Sequence, residues 1–192
     1  MVAYDLSQEQ DQDMVPYSKP GEEGYRQTVK EAKEHIRRIN NGFWLAHRAY
    51  GSKANVVYGT AYEIPKEIGQ VDVSVFGSVL LHIRDPFLAL QSAACMTRET
   101  VVVTDLNSRR LRYLSWALRM LGIHRTPMFF APNYRTCEPR DTWWTLHPDL
   151  LKNFLGVLGF EKSEVSYPTY QHRSGKVQFF TLVAHRTCRG GH

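Results

Sequence analysis

A chain of 192 residues with 43% hydrophobic content can bury one core, and a single domain over residues 1–192 is expected. The formal charge of +5 is modest, and no apolar run approaches the length of a membrane-crossing helix, so no membrane partner is expected. Cys95, Cys137 and Cys188 are odd in number and lack paired ligand spacing, which argues against a disulfide framework or a zinc site and for a reduced, cytoplasmic setting. The opening MVAYDLSQEQDQD has no basic stretch leading into an apolar one, so no signal peptide is read.

In chain order, Val2-Ala3-Tyr4-Asp5 reads as a strand ending in an acid, followed by a polar loop through Gly24. From Tyr25 a long amphipathic helix is predicted, with Val29, Ala32, Ile36, Ile39, Phe43, Ala46 and Tyr50 spaced three and four apart. A coiled coil would share that spacing, but the pattern is short and contains Gly42, so a crossover helix on a sheet is the better reading. Gly51-Ser52-Lys53 ends it, Asn55–Tyr58 is a short strand, and Gly59–Pro65 is the loop at its carboxyl end.

Val71 to Asp105 is a complete strand–helix–strand unit. Val71–Phe76 and Thr100–Asp105 are nearly continuous apolar runs, as a parallel sheet covered by helices on both faces requires. Between them Ser78 to Met96 reads as a helix, restarted at Asp85-Pro86, where proline is tolerated in a first turn. Ligands of open α/β sheets sit at the carboxyl ends of such strands, which directs attention to Phe76-Gly77-Ser78 and Asp105-Leu106-Asn107.

Arg109–Leu121 is predicted helical, with Leu111, Leu114, Leu118 and Leu121 on one stripe and Gly122 as the stop. Thr126–Thr145 is irregular and rich in aromatics and prolines, the character of a lid or binding loop. A helix from Pro148 buries Leu150, Leu151, Phe154, Leu155 and Leu158. Glu161–Tyr170 and Lys176–His185 then form an antiparallel hairpin about the turn His172-Arg173-Ser174-Gly175. Arg109, Arg110, Arg112, Arg119, Arg125, Arg135 and Arg140 concentrate positive charge in one third of the chain. They read either as a solvated surface or as a contact for RNA or another anion.

A hairpin closing a mostly parallel sheet resembles the class I S-adenosylmethionine-dependent methyltransferase fold. VFGSVLLHIRDPFLAL, TVVVTDL, CEPRDTWWTLHP and FLGVLGF are similar to the branch of the tRNA wobble-uridine methyl and carboxymethyl transferases, over nearly the whole chain. The resemblance implies a Rossmann-like α/β fold, S-adenosylmethionine as cofactor, and methyl transfer to a small-molecule or RNA acceptor. It also implies site residues.

Asp5 matches the acid that accepts hydrogen bonds from the cofactor's ribose, although an Asp at a strand end can also be a turn former. Thr60 and the Ala61 backbone would meet the adenine. Phe76, Gly77 and Ser78 would flank the methionine part, unless Gly77 merely eases a turn. His82 is expected to bond local backbone rather than act as a base, and no catalytic residue is assigned. Tyr134, Arg135, Trp143 and Trp144 offer flat faces and a cation to an acceptor, while the two tryptophans could equally pack the loop onto the sheet. The carboxymethylating members carry Tyr immediately before this His; here Leu81 stands there and cannot hold a carboxylate, which favours ordinary S-adenosylmethionine.

The family's first strand, glycine-rich turn and following helix have no counterpart in the sequence, and Gly21 and Gly24 fall too late to supply the turn. An N-terminally truncated sheet with an unpaired strand edge is therefore expected, with weak or absent cofactor binding and an edge open to a partner subunit or a second copy. A non-catalytic methyltransferase-like binding subunit is the alternative. A nicotinamide-dependent oxidoreductase is disfavoured by the terminal hairpin and the lack of a Tyr-x-x-x-Lys pair.

Overall fold

The structure, a computed structural model, describes residues 1–7, 9–19, 21–123, 126–172 and 175–187. Arg125, Cys188 and the Arg173-Ser174 centre of the predicted turn lie outside the described residues. The chain divides into two compact units, Met1–Ile68 with Pro132–Asp141, and Gly69–Ala131 with Thr142–His192.

In the first unit, β1 (Val2–Asp5) leads through α1 (Glu22–Ala49) to β2 (Asn55–Tyr58), and β1 and β2 pair in parallel with Asp5 opposite Tyr58. The crossover is the one its sequence predicts, but the inward line of α1 differs. No residue of α1 is fully buried. The half-buried line runs through Val29, Lys33, Ile36, Asn40, Phe43 and His47, whereas Ile39, Ala46 and Tyr50 are exposed. Polar partners decide this. Asn40 donates to the Leu6 carbonyl at 3.2 Å, the His47 ring lies 3.1 Å from the Ala54 carbonyl, and Lys33 pairs with Asp11 at 2.9 Å. Loop and strand-end carbonyls need donors more than they need isoleucine. Residues 132–141 are tied to the segment near Met14 and Val15, where the Val15 N–H donates to the Arg140 carbonyl at 2.9 Å and the Tyr17 hydroxyl to that of Pro139 at 2.9 Å.

In the second unit, β3 (Val71–Gly77) is followed by a one-turn 3-10 helix at Leu80–His82, then α2 (Pro86–Ala94) and β4 (Thr97–Leu106). The single helix expected over Ser78 to Met96 is thus two pieces. Asp85 explains the break: its carboxylate accepts the Leu88 N–H at 2.9 Å, capping a new helix whose first residue is Pro86. After α3 (Arg109–Met120), β5 (Phe129–Phe130) pairs with β6 (Trp144–Thr145), so the long irregular segment is closed by a short antiparallel ladder. Helix α3 ends as Gly122 predicts. Gly122, at φ +72°, donates to Arg119, and the Ile123 N–H donates to Leu118, a Schellman closure. Its buried line is Leu111 and Ser115 with Leu118 half-buried; Leu114 and Leu121, predicted on the stripe, are exposed.

The chain finishes with α4 (Pro148–Val157), β7 (Lys162–Ser166), β8 (Thr169–His172) and β9 (Gly175–His185). The sheet order is β3-β4-β9-β7, with β8 also on β9. Strands β3 and β4 are parallel, and β9 is antiparallel to both β4 and β7. Strands β3, β4 and β7 therefore share one direction, and the terminal hairpin inserts the reversed strand between β4 and β7.

Register explains the core. Val101, Val103 and Asp105 of β4 stand opposite Ala184, Leu182 and Phe180 of β9, and all six are buried on one face. Helices α2 and α4 cover that face with Leu90, Leu151 and Leu155, and Phe87 and Phe154 meet edge to face at 5.2 Å. The other face carries Val102, Thr104, Thr181 and Val183, only half-buried, and ends in Val73 at 49% and Val75 at 69% exposure. Cover on both faces was expected from the valine runs; within this unit only one face has it. The connection entering β3 is a loop with a single 3-10 turn at Lys66–Ile68, too short to cover a sheet.

Candidate functional site

The carboxyl ends of β3 and β4 converge through one hydrogen bond, from the Ser78 N–H to the Thr104 carbonyl at 2.8 Å. Ser78 adopts φ +52°, in the left-handed region that a residue with a side chain enters at a cost of about 1 kcal/mol. The turn's special conformation therefore falls on Ser78, not on Gly77. A Cβ added at Gly77 would meet nothing within 4 Å, so none of the other described residues occupies the space beside that backbone. Phe76, by contrast, is buried.

Asp105 closes β4 at the same end. It is only 3% exposed; its Oδ1 accepts the Leu106 N–H at 2.7 Å, and its Oδ2 is buried without a hydrogen-bond partner among the described residues. Burial pushes its carboxyl up to about 6, against the opposing pull of the Leu106 N–H and of the charge on His82. Sequence reasoning pointed to this strand end but gave Asp105 no role. The available signal was a carboxylate terminating the valine run VVVTD.

The late part of the long loop packs against the segment after β3. Trp143 is buried, its N–H donates to the Leu81 carbonyl at 2.9 Å, and its carbonyl accepts the Ala131 N–H at 2.8 Å. The Arg84 guanidinium stacks 5.0 Å from the Trp143 ring centroid, and the Trp144 indole N–H donates to the Arg84 carbonyl at 2.9 Å. Leu81 is itself buried. Trp143 and Trp144 thus belong to the second unit with Phe76, Gly77 and Ser78.

The remaining predicted residues lie in the first unit. Asp5 is exposed at the end of β1; its Oδ1 accepts the Leu6 N–H at 2.7 Å, and its carbonyl accepts the Gly59 N–H at 3.0 Å. That bond brings Asp5 beside Thr60 and Ala61. The Thr60 hydroxyl accepts the Tyr62 N–H at 3.4 Å, and the Thr60 carbonyl accepts the Tyr4 hydroxyl at 3.0 Å. The Tyr4 hydroxyl fills the space a Cβ at residue 59 would take, so a side chain there would have to displace the Tyr4 ring. Tyr134, 73% exposed, and Arg135, whose guanidinium lies 5.6 Å from the Tyr134 ring centroid, sit in the turn bridged by Asn133 and Glu138.

A cavity of about 330 Å³ in the second unit is bounded by Ser115, Arg119, Asp149 and Lys152, none of them a predicted site residue. Among the described residues no group of three His, Cys, Asp or Glu side chains is arranged to hold a metal, and no helix is long and apolar enough to cross a membrane.

Strand order and reversed β9 together define a Rossmann-like methyltransferase fold, and solved structures agree at the level of fold. A SAM-dependent methyltransferase from Methanosarcina mazei superposes with a TM-score of 0.50 at 15% identity, over 71% of this chain and 69% of that one. The 1,6-didemethyltoxoflavin-N1-methyltransferase of Burkholderia thailandensis, solved with 1,6-didemethyltoxoflavin and S-adenosylhomocysteine bound, superposes with a TM-score of 0.51 at 11% identity, over 76% of this chain and 56% of that one. The chain thus spans about two thirds of the first protein and just over half of the second. No protein-family model matches the chain, and no curated protein matches it in sequence.

Proposed function

We propose that this chain is a class I S-adenosylmethionine-dependent methyltransferase acting on a small-molecule or RNA acceptor. The observation that carries the reading is the β3-β4-β9-β7 order with β9 reversed, joined to a strand end where Ser78 is held left-handed beside the open backbone of Gly77.

The residues fit parts of the cofactor. Asp5 presents an exposed carboxylate whose Oδ2 can accept from a ribose hydroxyl, and Gly77 leaves its backbone approachable by the methionine part. Thr60 offers less than the sequence suggests, since its hydroxyl and carbonyl both have partners; the Ala61 backbone is the better adenine contact. Bound S-adenosylmethionine would supply an electrophilic methyl group, leaving the protein to orient the acceptor and exclude water. Buried Leu81 favours that ordinary cofactor over a carboxylated one.

The kinship with the tRNA wobble-uridine branch rests on VFGSVLLHIRDPFLAL and CEPRDTWWTLHP. A planar acceptor is supported by the exposed Tyr134 with Arg135 over its ring.

Calorimetric titration with S-adenosylhomocysteine tests the reading. Saturable binding is expected, with a Kd on the order of 100 μM or tighter, equivalent to roughly −5.5 kcal/mol or better. Asp5→Ala and Gly77→Leu should each weaken it about tenfold while leaving the unfolding midpoint in place. The absence of saturable heat up to millimolar ligand would overturn the proposal.

A further inference from the structure

We propose that the outward face of α3 docks on an anionic lipid surface, with Tyr113, Trp116 and Met120 entering the headgroup region and Arg110 and Arg112 meeting lipid anions on either side. The proposal does not depend on the methyltransferase reading.

The starting observation is that α3 carries apolar side chains on two opposite sides. Leu111 and Ser115 are buried, with Leu118 half-buried, and they mark the side that faces the protein. At 3.6 residues per turn, positions 113, 116 and 120 fall within about 60° of one another on the other side. They hold Tyr113, Trp116 and Met120, which are 66%, 62% and 71% exposed, and Leu121 at the end of the helix is exposed as well. Single exposed apolar residues are ordinary on a protein surface, whereas a stripe of large ones along two turns marks a surface that something covers.

The second observation is charge. The helix RRLRYLSWALRM contains four arginines and no acidic residue. By the same period Arg112 and Arg119 flank the stripe on one side and Arg110 on the other, all three exposed. Arg119 pairs with Asp149 of α4, whereas Arg110 and Arg112 meet no carboxylate among the described residues. Arg112 lies 5.9 Å from the Tyr113 ring centroid and donates to the Gln178 amide oxygen at 3.4 Å.

Tryptophan and tyrosine between aliphatic and arginine side chains suit a helix lying in a membrane interface. The rings enter at headgroup level, and the arginine stems run along the apolar surface while their heads stay with the lipid anions. Crossing a bilayer needs a long apolar helix, which none of the described residues form; lying on one does not. Two other occupants fit less well. An RNA strand would use the rings and arginines but leave Met120 and Leu121 in water. A second copy meeting face to face would set one arginine rim against another, like charge against like. The stripe is about 10 Å long, so the contact is shallow and reversible, with half-binding at about 1 mM lipid.

The experiment is flotation of the full chain with lipid vesicles. Half of the protein should float at about 1 mM lipid when about one third of that lipid is phosphatidylserine, and phosphatidylcholine alone should bind about tenfold more weakly. Trp116→Ser, and separately Arg110→Gln combined with Arg112→Gln, should each weaken binding to the anionic vesicles about tenfold while leaving the unfolding midpoint in place. Brominated acyl chains should quench the tryptophan emission of the parent more than that of Trp116→Phe, and equal quenching overturns the docking geometry. Should Trp116→Ser fail to fold, that contrast decides alone. The proposal is also overturned by no flotation up to about 10 mM anionic lipid, or by binding that Trp116→Ser leaves within about twofold of the parent, since charge alone would then hold the protein. An oligoribonucleotide is the counter-probe: retention that the arginine variant weakens, without flotation, gives this face to RNA instead.

Discussion

Asp105 places a carboxylate where water does not reach, and the sign of its effect on stability follows. Its carboxyl titrates near 6 in the folded chain against 3.8 for an ordinary aspartate, so the folded state holds the proton more tightly. The contribution to stability is fully present below pH 4 and is lost as pH rises through 6, a loss on the order of 3 kcal/mol. Asp105→Asn removes the ionisation without changing the shape. Chemical denaturation should therefore show the variant more stable by about 2–3 kcal/mol at pH 7 and nearly equal to the parent at pH 4. An equal difference at both values would show that the carboxylate is better solvated than its burial implies. Ser78 and Gly77 make a second point at this scale. The sequence marks Gly77 as the adaptable residue, yet the left-handed conformation is at Ser78, and no local pattern distinguishes the two.

Elements were readable where one force dominated. Strand β2 has the predicted limits, α3 stops at Gly122 as expected, and the terminal hairpin forms with its first strand, read as continuous over Glu161–Tyr170, broken into β7 and β8, because valine runs and turn residues act locally. In the segment between β3 and β4 the restart read at Asp85-Pro86 is present, with Asp85 as the cap of α2, whereas the stretch before it, read as helix, forms only a 3-10 turn. The inward face of α1 was misread because Lys33, Asn40 and His47 find acceptors that sequence periodicity does not reveal.

Arg186 is the other element-level determinant hidden in the sequence. Its guanidinium donates to the Ala94 carbonyl at 2.6 Å and the Thr97 carbonyl at 2.8 Å, and lies 4.3 Å from the Phe160 ring centroid. One side chain thus joins the end of α2, the start of β4 and the connection between α4 and β7. A lysine cannot reproduce a planar fork. Arg186→Lys should lower the denaturation midpoint by the equivalent of about 2 kcal/mol with an unchanged slope.

At the scale of the molecule, the mostly parallel sheet with its terminal antiparallel hairpin was legible from the order of apolar runs, whereas the insertion of the reversed strand between β4 and β7 was not. The one-sided cover was not, because a valine run describes what a strand could bury and not what arrives to cover it. The candidate site was legible only in pieces. Asp5, Thr60 and Ala61 do come together, as do Phe76, Gly77 and Ser78, and these two groups lie in different units. Val73 and Val75 leave an apolar surface on β3, which has one strand partner among the described residues. Exposed edges of this kind invite pairing with other chains, and a charge blocks it. Val75→Lys should reduce self-association seen by light scattering at high concentration without lowering the unfolding midpoint; unchanged scattering would place association elsewhere.

The half-buried valine face also bears on how the fold responds to temperature. Unfolding a sheet shielded on one side releases less apolar surface than unfolding one shielded on both, and the heat-capacity increment follows apolar area. Its curve of stability against temperature is correspondingly shallow, so warming and cooling away from the optimum each erode the second unit slowly.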